Sequence, residues 1–149
     1  MDLACGTGLF GEKLKKIFPK TTIDGVDISY KILEQARKKN IYKKLFCNNF
    51  DNNFFFKKKY DLISCIGAMT YTKNPKKLMK NIHRITNSKG YFIFSHRLDL
   101  WKKQSYDSLL ISLSGKWKNI YISRPLLYLP KNKDFTDKIK IRICLLEKN

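Results

Sequence analysis

The 149-residue sequence predicts an α/β protein of the Rossmann-like, doubly wound type, with a mostly parallel seven-stranded sheet and an antiparallel C-terminal strand. Three observations predict it. The stretch Asp2-Leu3-Ala4-Cys5-Gly6-Thr7-Gly8-Leu9-Phe10-Gly11 reads as a strand end, a glycine turn and a helix start, because Gly6 and Gly8 carry no Cβ and tolerate positive φ. Beyond it, runs of strand length alternate with apolar residues at helical spacing in the order β-α-β-α-β-loop-β-α-β-α-β-β, the signature of a parallel sheet covered on both faces. Tyr60 to Gly67 is nearly continuously apolar, as a strand buried on both faces should be.

Each element has its own local reason. Phe10, Leu14, Ile17 and Phe18 recur at helical spacing until Pro19 closes the first helix. Thr21 to Asp27 is short and β-prone. Ser29 can cap a second helix whose inner face is Ile32, Leu33 and Ala36 and whose end is the basic run 37–40. Lys44 to Asn48 makes a third strand, and Asp51 to Lys59 a loop. Asn74-Pro75 starts a helix lined by Leu78, Met79, Ile82 and Ile85, which Gly90 is expected to break. Tyr91 to Ser95 is a fifth strand, Leu98 to Leu113 a helix, and Trp117 to Ile122 and Lys138 to Leu146 two closing strands separated by a Pro-bearing loop. In the last of these, Ile139, Ile141, Ile143 and Leu145 alternate with a wetter face of Lys138, Lys140, Arg142 and Cys144.

Length and composition fit a single domain, 1–149, which the resemblance given below divides into a core over 1–97 and a substrate-side segment over 98–149. A central parallel strand should place several apolar residues ahead of Asp2, where only Met1 stands, so the first strand is expected to be truncated. The net charge of +19 rests on 26 lysines against five arginines, spread over most predicted helices. Solvated helix faces explain it better than an anionic partner, so nucleic acid is compatible but not favoured. Cys5, Cys47, Cys65 and Cys144 have neither zinc nor C-x-x-C spacing and read as reduced thiols of a cytoplasmic protein. No apolar run is long enough to cross a membrane, and no metal ligand set is expected.

Two cofactors could use the glycine turn. Gly6-Thr7-Gly8-Leu9-Phe10-Gly11 fits the dinucleotide pattern G-x-G-x-x-G, with Asp27 about twenty residues on. Asp2 favours the other choice, since a carboxylate repels a pyrophosphate and attracts an ammonium or sulfonium group. The motif from Asp2 to Gly8 resembles the first motif of the class I S-adenosylmethionine-dependent methyltransferases, with Ala4 where many members carry a first glycine. Over residues 1 to about 97 the resemblance extends to enzymes of the ubiquinone/menaquinone type, which act on small molecules.

That resemblance implies a cofactor site built from Asp2, Ala4, Cys5, Gly6 and Gly8 on the first strand end and from Asp27 and Ile28 on the second. Asp27 would accept hydrogen bonds from both ribose hydroxyls, and Ile28 would pack on adenine. Asn48, Asn49 and Phe50 follow the third strand, with Asn49 in place of the usual acid. Cys65, Ile66 and Gly67 follow the fourth, where backbone contacts the methionine part. Met69, Tyr71, Arg97 and Tyr128 are candidate substrate contacts, the last within a Pro-bounded 124–130 segment that could wall the pocket. Methyl transfer needs a positioned nucleophile more than a base. If a base exists, His96 is the best placed, with Tyr71 as neighbour. The expected reaction is methyl transfer from S-adenosylmethionine to an O, N or C nucleophile of a small-molecule acceptor. A SAM-binding or inactive remnant and an NAD-dependent oxidoreductase are the alternatives.

Overall fold

The computed structural model describes residues 1–52, 56–128 and 139–149. Its elements run β1 (Asp2–Leu3), α1 (Leu9–Ile17), β2 (Ile23–Asp27), α2 (Tyr30–Lys38), β3 (Tyr42–Cys47), β4 (Tyr60–Cys65), a 3-10 turn (Met69–Tyr71), α3 (Pro75–Ile85), β5 (Thr86–Arg97), α4 (Leu98–Lys103), α5 (Tyr106–Ser112), β6 (Trp117–Ile122), β7 (Leu126–Leu127) and β8 (Lys140–Lys148). The main path of the sheet is β3-β2-β1-β4-β5-β8-β6, and β7 pairs off this path with β8. Pairs from β3 to β5 are parallel, whereas β8 runs antiparallel to β5, β6 and β7.

The expected α/β architecture is therefore present, and the chain's last strand is inserted between β5 and β6. That insertion sets the burial of β8. Lys140 is exposed as the alternation read from the sequence requires, but from 143 to 146 that alternation is reversed, with Cys144 and Leu146 fully buried and Ile143 and Leu145 only half-buried. The cause is the stack of Trp101, Tyr106 and Trp117 with Phe92 and Phe94 on the Cys144 side. Residues 129–138, which include Leu129, Pro130 and Lys138 of the expected loop and strand, lie outside the described residues.

Helix starts follow their capping chemistry. The Ser29 hydroxyl accepts from the Ile32 N-H, and the Asn74 side chain accepts from the Lys77 N-H at 3.0 Å with Pro75 behind it. Helix ends departed from expectation twice. α3 ends at Ile85 because Thr86 turns to extended backbone and its hydroxyl donates to the Ile82 carbonyl. β5 then begins at Thr86, and the extra residues bulge through Lys89 (φ 59°) and Gly90, so that Tyr60 pairs with Thr86 but Leu62 with Tyr91. Gly90 thus shapes a strand rather than breaking a helix: a Cβ there would stand 2.8 Å from Thr86 Cγ2 and 3.0 Å from two carbonyl oxygens.

The helix expected over 98–113 is two helices. Ser105 interrupts it at φ 52°, and the Trp101 indole N-H donates to Asp107 across the break at 2.9 Å. Among the described residues no helix is long and apolar enough to cross a membrane. All four cysteines are free, with Cys5, Cys65 and Cys144 buried and Cys47 exposed. Because Ser105 occupies the left-handed region without a glycine's freedom, Ser105→Gly is expected to stabilise the fold by about 1 kcal/mol. Urea denaturation of the two proteins measures this directly.

Candidate functional site

The glycine turn is shaped from below by one side chain. Tyr42, the first residue of β3, donates its hydroxyl to Asp2 Oδ2 at 2.8 Å. A Cβ on Gly11 would lie 2.5 Å from that hydroxyl oxygen, and one on Gly8 3.0 Å from the Tyr42 ring. A Cβ on Gly25 in β2 would meet Leu45 at 2.7 Å, Cys5 Sγ at 3.0 Å and Tyr42 at 3.1 Å. These three glycines make room for protein. Gly6 is different: it has φ 56°, and a Cβ there would meet no atom within 4 Å, so open space lies beside it.

Asp2 departs from its expected place. It is 2% exposed, with Oδ1 accepting from the Ser64 hydroxyl at 2.7 Å and Oδ2 from Tyr42. Both oxygens are held inside the sheet, not presented to a cation in the crevice. Burial raises its pKa above the usual carboxylate value, and the two hydroxyl donors oppose the rise. Ala4 keeps its position in the turn at φ 53°, in the region that favours glycine. Cys5 packs under β2, where burial pushes its thiol up to about 12, and Cys65 is wholly buried. Their side chains face the interior, leaving only backbone for the crevice.

Asp27 ends β2 beside this turn. Its Oδ2 accepts from the Gly6 N-H at 2.9 Å and its Oδ1 from the Ser29 N-H at 3.0 Å, fixing the carboxylate plane. Each carboxylate oxygen retains a second acceptor position. Ile28 follows with 64% of its surface exposed, a large apolar side chain beside a charged one. Asn48 extends the ladder through its N-H to the Asp27 carbonyl at 2.9 Å. Asn49, expected to present its carbonyl outward, instead accepts from the Asp51 N-H at 2.9 Å, and half-buried Phe50 packs on the core.

Beyond β4, Gly67 takes φ 83° and donates its N-H to the Ser95 hydroxyl at 2.7 Å, which holds the turn against β5. Ile66 is half-buried. A small cavity opens here, lined by Gly67, Thr70, Tyr71, Arg97 and Tyr128 among others. Arg97 donates Nε and Nη2 to Asp99 at 3.1 and 2.7 Å. Tyr71 is 68% exposed. Met69, expected as a wall, is fully buried in the core.

His96 lines the same cavity but is 1% exposed. Its Nδ1 lies 2.8 Å from the Arg97 carbonyl and its Nε2 2.9 Å from Gln104 Oε1, while its ring sits 3.9 Å from that of Tyr106. Buried between the Arg97 carbonyl, Gln104 and the Tyr106 ring, it ties α4 to β5 and is enclosed, not presented as the base the sequence suggested. Burial lowers its pKa. A larger cavity of ≈ 420 Å³ lies among Leu14, Phe18, Ile23, Tyr60 and Leu62, at the amino ends of the strands. Ligands of open α/β sheets bind at the carboxyl ends, where Gly6, Asp27 and Gly67 converge. Among the described residues no group of three or more His, Cys, Asp or Glu is placed to hold a metal ion.

Sequence reasoning missed Tyr42, Ser64 and Asp51. Asp51 accepts from the Thr72 hydroxyl and, at 3.0 Å, from the Lys73 N-H. A tyrosine at the start of a lysine-rich edge strand carries no local signal of packing under three glycines.

The methyltransferase domain family matches residues 1–92. Among curated relatives, the malonyl-[acyl-carrier protein] O-methyltransferase of Legionella pneumophila is 29% identical over 98 residues, covering 64% of this chain and 34% of its own length. The malonyl-[acyl-carrier protein] O-methyltransferase 2 of Ilyobacter polytropus is 28% identical over 144 residues, covering 95% and 54%. The chain thus spans between a third and about half of these relatives. Solved structures share its fold: plantazolicin methyltransferase BpumL, in complex with a pentazolic desmethylPZN analog and SAH, superposes with a TM-score of 0.78 at 16% identity, covering 99% of this chain and 75% of that one. A S-adenosylmethionine-dependent methyltransferase from Clostridium acetobutylicum gives 0.73 at 19%, covering 98% and 82%.

Two measurements check this geometry. Ala4→Gly is expected to raise unfolding free energy by about 1 kcal/mol, because the turn already holds a glycine conformation. Tyr42→Phe is expected to lower it by about 1–3 kcal/mol, since it leaves a buried carboxylate oxygen short of a donor. In the wild type, the Asp2 carboxyl resonance should titrate above the ordinary 3.8. A raised folded pKa means that this group's contribution to stability is complete below the unfolded value and is lost as pH rises through the folded one.

Proposed function

We propose that this chain, which belongs to the methyltransferase domain family, binds S-adenosylmethionine across the carboxyl ends of β1 to β4 and transfers its methyl group to a small-molecule acceptor. The observation that carries the reading is the Asp27 carboxylate, fixed by two backbone N-H groups beside the open space at Gly6. A carboxylate so held offers two acceptors to the neighbouring hydroxyls of a ribose. Exposed Ile28 supplies an apolar face for adenine, and the backbone at Gly67 permits close approach on the methionine side. When bound, S-adenosylmethionine supplies a methyl group activated by a sulfonium.

The rest falls to the protein. Tyr71, Arg97 and Tyr128 stand around the cavity next to Gly67, where an acceptor has to present its nucleophile in line. An oxygen nucleophile, specifically a carboxylate, suits this set best. Arg97 is held by Asp99 and keeps further N-H donors for a planar anion. The O-methyltransferase names of the curated relatives support the same choice. With His96 buried, such an acceptor, already ionised at neutral pH, requires no base.

The oxidoreductase alternative loses one objection and gains another. Asp2 is buried within the sheet with each oxygen accepting from a hydroxyl, so it is not presented to a pyrophosphate in the crevice. The sheet, however, carries an antiparallel β8 between β5 and β6, in place of the 3-2-1-4-5-6 order of dinucleotide folds.

Calorimetric titration should give heat with S-adenosylmethionine and none with NAD; the opposite result would sink the proposal. Asp27→Asn should weaken the binding by about 10- to 100-fold, given the loss of charge-assisted hydrogen bonds. Arg97→Leu should raise KM for carboxylate acceptors in a methyl-incorporation assay while leaving cofactor affinity unchanged.

A further inference from the structure

The chain contains a carboxylate that none of the roles above uses. Asp51 lies just past β3, and both of its oxygens are spent on the segment that follows the 3-10 turn after β4: Oδ1 accepts from the Thr72 hydroxyl, Oδ2 from the Lys73 N-H at 3.0 Å. β3 and β4 are not neighbours, because β2 and β1 stand between them. Three strand spacings amount to about 14 Å. The contact therefore joins the two outer walls of the crevice, with Asn49 and Phe50 on one side and Thr70 and Tyr71 on the other.

The loop is built to present this carboxylate. Asn49 Oδ1 accepts from the Asp51 N-H, and the Asn52 N-H donates to the Asn49 carbonyl at 3.1 Å, a tight turn that fixes the direction of the side chain between them. On the receiving side Thr72 is 8% exposed, while Lys73 and Tyr71 are exposed. The Thr72 bond is part-buried and the Lys73 bond exposed, and a charge-assisted pair of this kind holds two loops together outside the hydrophobic core.

We propose that Asp51 and Thr72 form a latch across the crevice, and that its opening controls the exchange of cofactor. This rests on the reading of the crevice as the S-adenosylmethionine site. Asp51 is a positioning residue here: it acts through the 70–73 segment and touches neither the methyl group nor the acceptor.

The test uses S-adenosylhomocysteine as probe. Its dissociation is followed by stopped flow from the wild type, Asp51→Ala, Thr72→Val and Thr72→Ser, alongside hydrogen exchange of the Lys73 amide in ligand-free protein. Asp51→Ala and Thr72→Val should release the probe about tenfold faster, and Thr72→Ser, which keeps the hydroxyl, should stay near wild type. Asp51→Ala should also speed Lys73 exchange about tenfold. If Asp51→Ala fails to fold, the Thr72 pair still decides. Release rates unchanged in a wild type and variants that all bind overturn the latch alone. Unchanged Lys73 exchange in Asp51→Ala overturns it too. A wild type that binds no S-adenosylhomocysteine overturns the cofactor reading, and the gating with it.

Discussion

The hydrogen bond from Tyr42 to Asp2 organises everything around the glycine turn. An acid in the middle of a parallel sheet is costly to bury, and it is tolerated here because Tyr42 and Ser64 each donate to one of its oxygens. Placing the tyrosine ring there leaves no room for a side chain at Gly11 and little at Gly8, which also holds φ 85°. Once the turn is pinned, the Gly6 N-H has only one place to point, toward Asp27. The crevice is thus defined from inside the protein outward, from a buried polar pair to a fixed carboxylate.

Two kinds of residue therefore hide within one motif. Gly8 and Gly11 face protein, and Gly6 faces open space. Ala4, at φ 53°, shows that the backbone path survives at a position where a glycine would be easier. The cost is local strain of about 1 kcal/mol, small enough for the surrounding hydrogen bonds to offset.

What could be read from the sequence was whatever a short window encodes. The strand ends carrying Gly6, Asp27 and Gly67, the caps Ser29 and Asn74, and the buried β4 all follow from periodicity and turn chemistry. What could not be read depends on residues far apart in the chain. The Asp2 carboxylate looked like a ligand to a cation because its partners lie 40 and 62 residues away. His96 looked like a base because nothing local announces that Gln104 will approach its ring. The start of β5 was misplaced because Thr86, rather than the more conspicuous Gly90, ends α3. Asp51 lies in a loop whose partners, Thr72 and Lys73, follow a different strand.

The position of β8 bears on how the molecule is made. It follows β6 in the sequence, yet β5 lies on one side of it and β6 on the other. Residues 1–97 can form the parallel half of the sheet as they emerge, but among the described residues β6 pairs only with β8, which has to be made first. Through that interval the free edges of β5 and β6 are both open to neighbouring chains. Closure then joins β8 to β5, β6 and β7, so the sheet beyond β5, next to Arg97, depends on pairings between segments far apart in the sequence.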